Sequence, residues 1–137
     1  QIIPIIDLTE SAEGSNLRED LQKAFSFNSS TAFNVENTTT TIVNNTGYHR
    51  IFGTMSVETG GGVLLAKFVL NDGTSDKIIN EYTLDTGSGN AFLVDYDFIV
   101  FLSAGDILKA SNNQAKCIMA GNTRQIATIT GELVSPT

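Results

Sequence analysis

His49, Cys117 and the acidic pair Asp95 and Asp97 are the side chains of this 137-residue sequence whose types could do chemistry. His49 is the only histidine, so one chain can build neither a two-imidazole relay nor a His-His metal set. It follows Tyr48 in a strand-like run, where a hydrogen-bonded or surface role fits better than catalysis. Cys117 lies in Lys116-Cys117-Ile118-Met119-Ala120, an apolar strand pattern. A thiolate nucleophile needs a basic partner set against it, which the sequence does not place, so a buried thiol is expected, with a Cys117–His49 pair as the alternative. In Asp95-Tyr96-Asp97 the rise of an extended chain puts two carboxylates on one face, roughly 6–7 Å apart at the Cα atoms. A glycoside hydrolase or a calcium site could use such a pair. No further ligand or acid converges on it in the sequence, and a solvated acidic rim is the reading that fits. Gly60-Gly61-Gly62 has no Lys-Ser/Thr behind it and no following helix, which makes it a turn and not a phosphate cradle. The expectation is a protein with no catalytic residue, no metal and no cofactor, hence not an enzyme.

The elements around these residues are those of a β protein. One domain is the natural unit for this length, with enough buried surface to fold without metals or disulfides. Charged residues make up only 17%, and Thr, Asn, Gly and Ser fill the polar positions. Fifteen acidic against eight basic residues give a net charge of −7, which repels phosphate backbones and anionic bilayers, so neither nucleic acid nor membrane is an expected partner. Cys117 is the single cysteine and excludes an intrachain disulfide. The apolar runs are too short to span a bilayer, and the N-terminus lacks the pattern of a signal peptide.

From residue 31 onward, runs of β-branched and aromatic residues alternate with turn signals. Strands are expected among the Thr- and Asn-rich residues up to Thr46, then at 48–57, 63–70, 77–84, 92–102, 107–110, 116–120 and 124–134. Asn71-Asp72-Gly73, Gly87 to Asn90 and Ala104-Gly105-Asp106 supply turns between them. Within 77–84, Ile78, Tyr82 and Leu84 are expected on one side. The clearest period is Phe92, Val94, Tyr96, Phe98, Val100 and Leu102, which all face one way. Opposite them, Asp95 and Asp97 give way to Ile99 and Phe101, so this strand should pass from a solvated rim into a region covered on both faces, as an oligomer requires. The fold class is mainly β, an antiparallel sandwich of about eight strands, jelly-roll-like, occupying residues 31–137.

Residues 1–30 read as an extended N-terminal arm with one short helix at 16–25. Ile2, Ile3, Ile5, Ile6 and Leu8 form an apolar stretch interrupted by Pro4, costly to expose and therefore expected to pack on a neighbour, or else to add an edge strand to its own sandwich. Leu17, Leu21 and Phe25 fall on one face of the helix, with Asn16 as N-cap and Glu19 completing a capping-box pattern. Ten residues do not hold a helix in water alone, so this face must dock. Partner binding is therefore assigned to Ile2, Ile3, Ile5, Ile6, Leu8, Leu17, Leu21 and Phe25.

Asp97-Phe-Ile-Val-Phe-Leu-Ser-Ala-Gly-Asp106, a short strand, an Asn-rich gap and Ala127-Thr-Ile-Thr-Gly-Glu-Leu-Val134 resemble the last third of the trimeric jelly rolls related to tumour necrosis factor and the complement globular heads. Gly47-Tyr-His-Arg-Ile-Phe-Gly53 is similar to an early core strand of that fold, and the likeness covers about two thirds of the chain. The arm and the Thr/Asn/Gly-rich texture depart from the vertebrate members and are similar to bacteriophage virion proteins. The resemblance implies a homotrimeric capsid cement or decoration subunit on the capsid surface of a phage virion. Its partners would be a major capsid protein or other virion proteins. The alternative is a fibre-tip or lectin-like module binding glycans through Asp85 to Asn90 and Ser111 to Gln114, although the chain has no Trp to serve as a sugar platform.

Overall fold

The computed structural model of the chain describes residues 30–87 and 89–135. The arm and helix, with Ile2, Ile3, Ile5, Ile6, Leu8, Leu17, Leu21 and Phe25, lie outside the described residues.

Among the described residues eight strands form two four-stranded antiparallel sheets: β1 (Ser30–Glu36), β2 (Thr39–Val43), β3 (Gly47–Val57), β4 (Val63–Asn71), β5 (Asp76–Asp85), β6 (Phe92–Leu102), β7 (Ile107–Asn112) and β8 (Cys117–Ala127). One sheet has the order β1-β8-β3-β6, the other β2-β7-β4-β5. Only β4 and β5 pair directly with their sequence neighbour in one sheet; every other connection crosses the sandwich, which is the jelly-roll arrangement.

Alternation decides what each strand buries. From the first sheet Val35, Ile51, Met55, Val57, Tyr96, Val100, Leu102, Cys117 and Met119 point inward, and from the second Leu64, Ala66, Phe68, Leu108 and Ala110 meet them. Phe68 sits amid aromatic rings, with Tyr96 at 4.9 Å and Phe98 at 5.1 Å between centroids, both edge-on. Such pairs add about 0.5–1.5 kcal/mol each beyond area burial.

A row across the first sheet runs Phe33–Gly121–Gly53–Tyr96, one residue from each strand. The glycines on the two central strands leave the inner surface bare, and the aromatic rings from the two outer strands fill the gap. The Phe33 and Tyr96 rings stack at 6.3 Å, and the Tyr96 hydroxyl donates to the Ala120 carbonyl two strands away at 2.9 Å. A side chain at Gly53 would strike the Ala120 carbonyl, and one at Gly121 the Phe52 carbonyl. The packing needs glycine at both places.

The turns also follow from composition. Asn37, between β1 and β2, takes a left-handed φ of 49°, a region Asn tolerates better than most residues, and its N–H donates to Asn112 Oδ1 at 2.8 Å. In the Ala104-Gly105-Asp106 turn, Asp106 Oδ2 accepts from the Ser103 backbone N–H and hydroxyl at 2.9 and 2.8 Å. Between β4 and β5, Asp72 Oδ1 caps the N–H groups of Thr74 and Ser75.

Two strand assignments are corrected. Residues 116–120 and 124–134 are not separate strands: β8 runs continuously from Cys117 to Ala127, paired to β3 on one side and β1 on the other, and the chain then folds back through an Ala127–Leu133 bridge. The eighth strand comes instead from the Thr-rich region, which holds both β1 and β2. Ile78 does not share a face with Tyr82 and Leu84. The β4–β5 register shifts between Phe68 and Val69, inserting one residue and turning Ile78 outward beside Val69 while Tyr82 and Leu84 stay against the core.

Candidate functional site

The residues singled out for chemistry are kept apart. His49 lies near the start of β3, whereas Cys117 pairs with Val57 at its other end. Eight residues of extended chain separate His49 from Val57, about 26 Å, and the Cys117–His49 pair is thereby excluded.

His49 is buried, and its Nε2–H donates to the Asn45 carbonyl at 2.9 Å. Burial holds its pKa below the ordinary value, opposed by backbone hydrogen bonds with Asn45 and Thr46. Thr31, Thr123 and Gln125 share its side of an open cleft of about 280 Å³. No carboxylate or thiol lines this cleft. Cys117 is fully buried in the core, and burial pushes its thiol up to about 11, the opposite of what a nucleophile requires.

Asp95 and Asp97 do project from the outward face of β6, as the alternation predicts, but each is engaged by β3. Asp97 makes a two-point pair with Arg50, Nε to Oδ1 at 3.0 Å and Nη2 to Oδ2 at 2.7 Å. This guanidinium holds the Asp97 carboxyl below the usual carboxylate range. Asp95 Oδ1 accepts from the Thr54 hydroxyl at 3.0 Å. Held low in this way, Asp97 is not placed as a general acid, which would need a raised pKa. Among the described residues no group of three or more His, Cys, Asp or Glu is arranged to hold a metal ion.

The amides proposed for glycan recognition are engaged in holding loops. Asn112 is buried, its Nδ2 donating to the Val35 carbonyl at 2.9 Å, and Asn113 Oδ1 accepts from the Leu65 N–H at 2.9 Å. Gln114 and Thr86 are buried as well. Against the expectation of a surface loop at 111–114, strand pairing extends β7 to Asn112 and turns its amide inward.

What the molecule does present is a surface. On the outward face of the β1-β8-β3-β6 sheet, Tyr48 packs on Phe101 with centroids 4.8 Å apart, and Arg50 lies over the Phe52 ring at 4.6 Å. Ile99 is 60% exposed, Leu93 73%, Phe101 40% and Tyr48 38%. The Tyr48–Phe101 pair went unrecognised in the sequence, because its members lie 53 positions apart and meet only through the β3–β6 register. The one available signal was the outward placement of Ile99 and Phe101.

Two solved structures are similar to this chain over nearly all of it. One is the crystal structure of a pentameric capsid protein isolated from metagenomic phage sequences, 40% identical, covering 99% of this chain and 85% of that one, with a TM-score of 0.70. The other carries the same description and was solved by iodide SAD phasing; it is 40% identical, covers 99% of this chain and 90% of that one, and has a TM-score of 0.69. No protein-family model matches the chain, and no curated protein matches it. The phage capsid part of the sequence reading is borne out. The trimeric tumour necrosis factor type is not what these relatives are described as, since both are called pentameric. With 40% identity across nearly its whole length, the chain belongs to the family of phage capsid proteins that these two structures represent, a family of the virion.

Proposed function

We propose that this chain is a non-enzymatic structural subunit of a phage capsid that assembles into a closed homo-oligomeric ring through its β-sandwich and attaches to neighbouring virion proteins through its N-terminal arm. The observation that carries the reading is the 40% identity, over 99% of the chain, to a capsid protein described as pentameric. A ring of five is accordingly favoured over the trimer implied by the tumour necrosis factor resemblance. The finer role is that of a cement or decoration subunit at the capsid surface, supported by the small single sandwich and the apolar arm.

The attachment rests on Ile2, Ile3, Ile5, Ile6 and Leu8 with the Leu17, Leu21 and Phe25 face. Burying about six such side chains contributes on the order of 9–18 kcal/mol before ordering costs, enough to fix a segment on a partner. The test measures solution mass and capsid occupancy for the full chain and for a version lacking residues 1–15. A ring with the same number of subunits that no longer occupies capsids is the expected result. Unchanged occupancy removes the arm from the reading, and a full chain that stays monomeric at every concentration removes the ring.

A further inference from the structure

β6 ends its sheet, so one of its sides carries backbone N–H and C=O groups with no strand beside them among the described residues. Sheet edges invite pairing with other chains, and proteins blunt them by shortness, bulges, prolines or projecting charges. Two of the other three edges show such devices, and the third, β1, is shorter than β6 at seven residues against eleven. β2 is five residues long with a register shift between Thr41 and Val43. β5 lies opposite the shift at Phe68/Val69 and carries Asp76, Lys77, Glu81 and Asp85.

β6 has none of them. It runs for eleven residues in unbroken register with β3 and contains neither proline nor glycine. Its two charges do not guard the edge, because Thr54 and Arg50 draw Asp95 and Asp97 back across β3. Beside the edge stand Ile99 and Phe101, with Tyr48 packed against Phe101, all on the outward face of the sandwich. An open, long, regular edge next to exposed apolar side chains is a surface that a lone soluble domain does not keep bare.

Symmetry says what covers it. A ring of five identical subunits cannot be joined by self-complementary twofold contacts; each copy must offer one surface forward and a different one backward. We propose that the β6 edge, together with Tyr48, Ile99 and Phe101, is one of those two surfaces, and that a second copy of this chain seats on it with a surface other than its own β6. The inference rests on the ring proposed above and adds its contact. A polyanion is a poor occupant, since Asp95 and Asp97 lie in the middle of the strip and the chain carries a net charge of −7.

The test uses the full chain and light scattering coupled to size exclusion. The variant Ile99→Lys/Phe101→Lys alters outward side chains only, and Thr41→Lys/Thr83→Lys adds the same two charges to the outward face of the other sheet as a control. The wild type and the control are expected at ring mass. The Ile99→Lys/Phe101→Lys variant should drop about fivefold, to the 14.7 kDa monomer, with an unchanged circular dichroism spectrum. Ring mass retained in that variant, or lost equally in the control, overturns the β6 contact while leaving the ring. A monomeric wild type overturns both. Ring mass retained with loss of capsid binding assigns β6 to a different virion protein and also overturns the contact. Should the double variant fail to fold, hydrogen exchange on the wild type decides: the β6 amides on the open edge must exchange at least tenfold more slowly in the ring than in a dilute monomer, and equal rates overturn the proposal.

Discussion

Phe33 and Tyr96 belong to strands at opposite edges of one sheet, yet their rings stack with centroids 6.3 Å apart and planes within 20°. They meet because the two strands between them contribute Gly121 and Gly53 to the same row. Two empty positions thus make room for two large side chains, and the sheet's inner surface is closed by residues from its margins.

Gly121→Ala and Gly53→Ala should each destabilise the fold by roughly 1–3 kcal/mol, since the nearest atoms the added carbon must displace are backbone. At Gly121 it would meet the Phe52 carbonyl and lie 3.1 Å from Phe33 Cζ. Urea unfolding followed by far-ultraviolet circular dichroism measures the effect. Midpoints equal to that of the wild type would show that the strands can part without cost and that the row is incidental.

His49 should make stability depend on pH near neutrality. Burial lowers its pKa in the folded state, so the folded protein disfavours the imidazolium and the unfolded chain binds the proton first. The stability is complete above the ordinary histidine value of about 6.5 and is lost as pH falls from there through the lower folded value. Urea midpoints between about pH 5 and pH 8 should therefore decline toward acid, and His49→Gln should flatten that decline. An identical slope in the variant would assign the dependence to other groups.

Asp95→Asn combined with Asp97→Asn should change stability by no more than about 1 kcal/mol, because the Arg50–Asp97 pair is a surface pair with side chains 43% and 55% exposed. What Asp97 contributes, through a pKa held low by Arg50, is present above the ordinary carboxylate value and fades as pH falls through the lower folded value. Glycoside substrates should be untouched by the wild type and the variant alike. Hydrolysis by the wild type that disappears in the variant would restore the enzyme reading.

Much of this was legible in the residues. The alternation from Phe92 to Leu102 named the inward and outward faces of β6 correctly, including the outward Asp95, Asp97, Ile99 and Phe101, because side-chain direction in a regular strand follows parity alone. Cys117 as a core thiol was equally local, read from the apolar strand pattern of Ile118, Met119 and Ala120 that follows it. Parity fails where one residue is inserted: the bulge opposite Phe68 and Val69 reverses Ile78, and no composition signal marks it. The expected strands at 116–120 and 124–134 leave residues 121–123 between them, yet β8 runs through these, and Gly121 lies opposite Gly53 of β3, where a bare position is what the neighbouring strand requires.

Residue types and short-range periodicity were enough to establish that the chain folds as an antiparallel β protein and which faces its regular strands bury. Tertiary structure decided which strand lies beside which. That pairing unites Tyr48 with Phe101, turns Asp95 and Asp97 back onto β3, separates His49 from Cys117, and among the described residues leaves β6 as an open edge. Each is a relation between segments far apart along the chain, set by burying one shared core, and no local pattern encodes it.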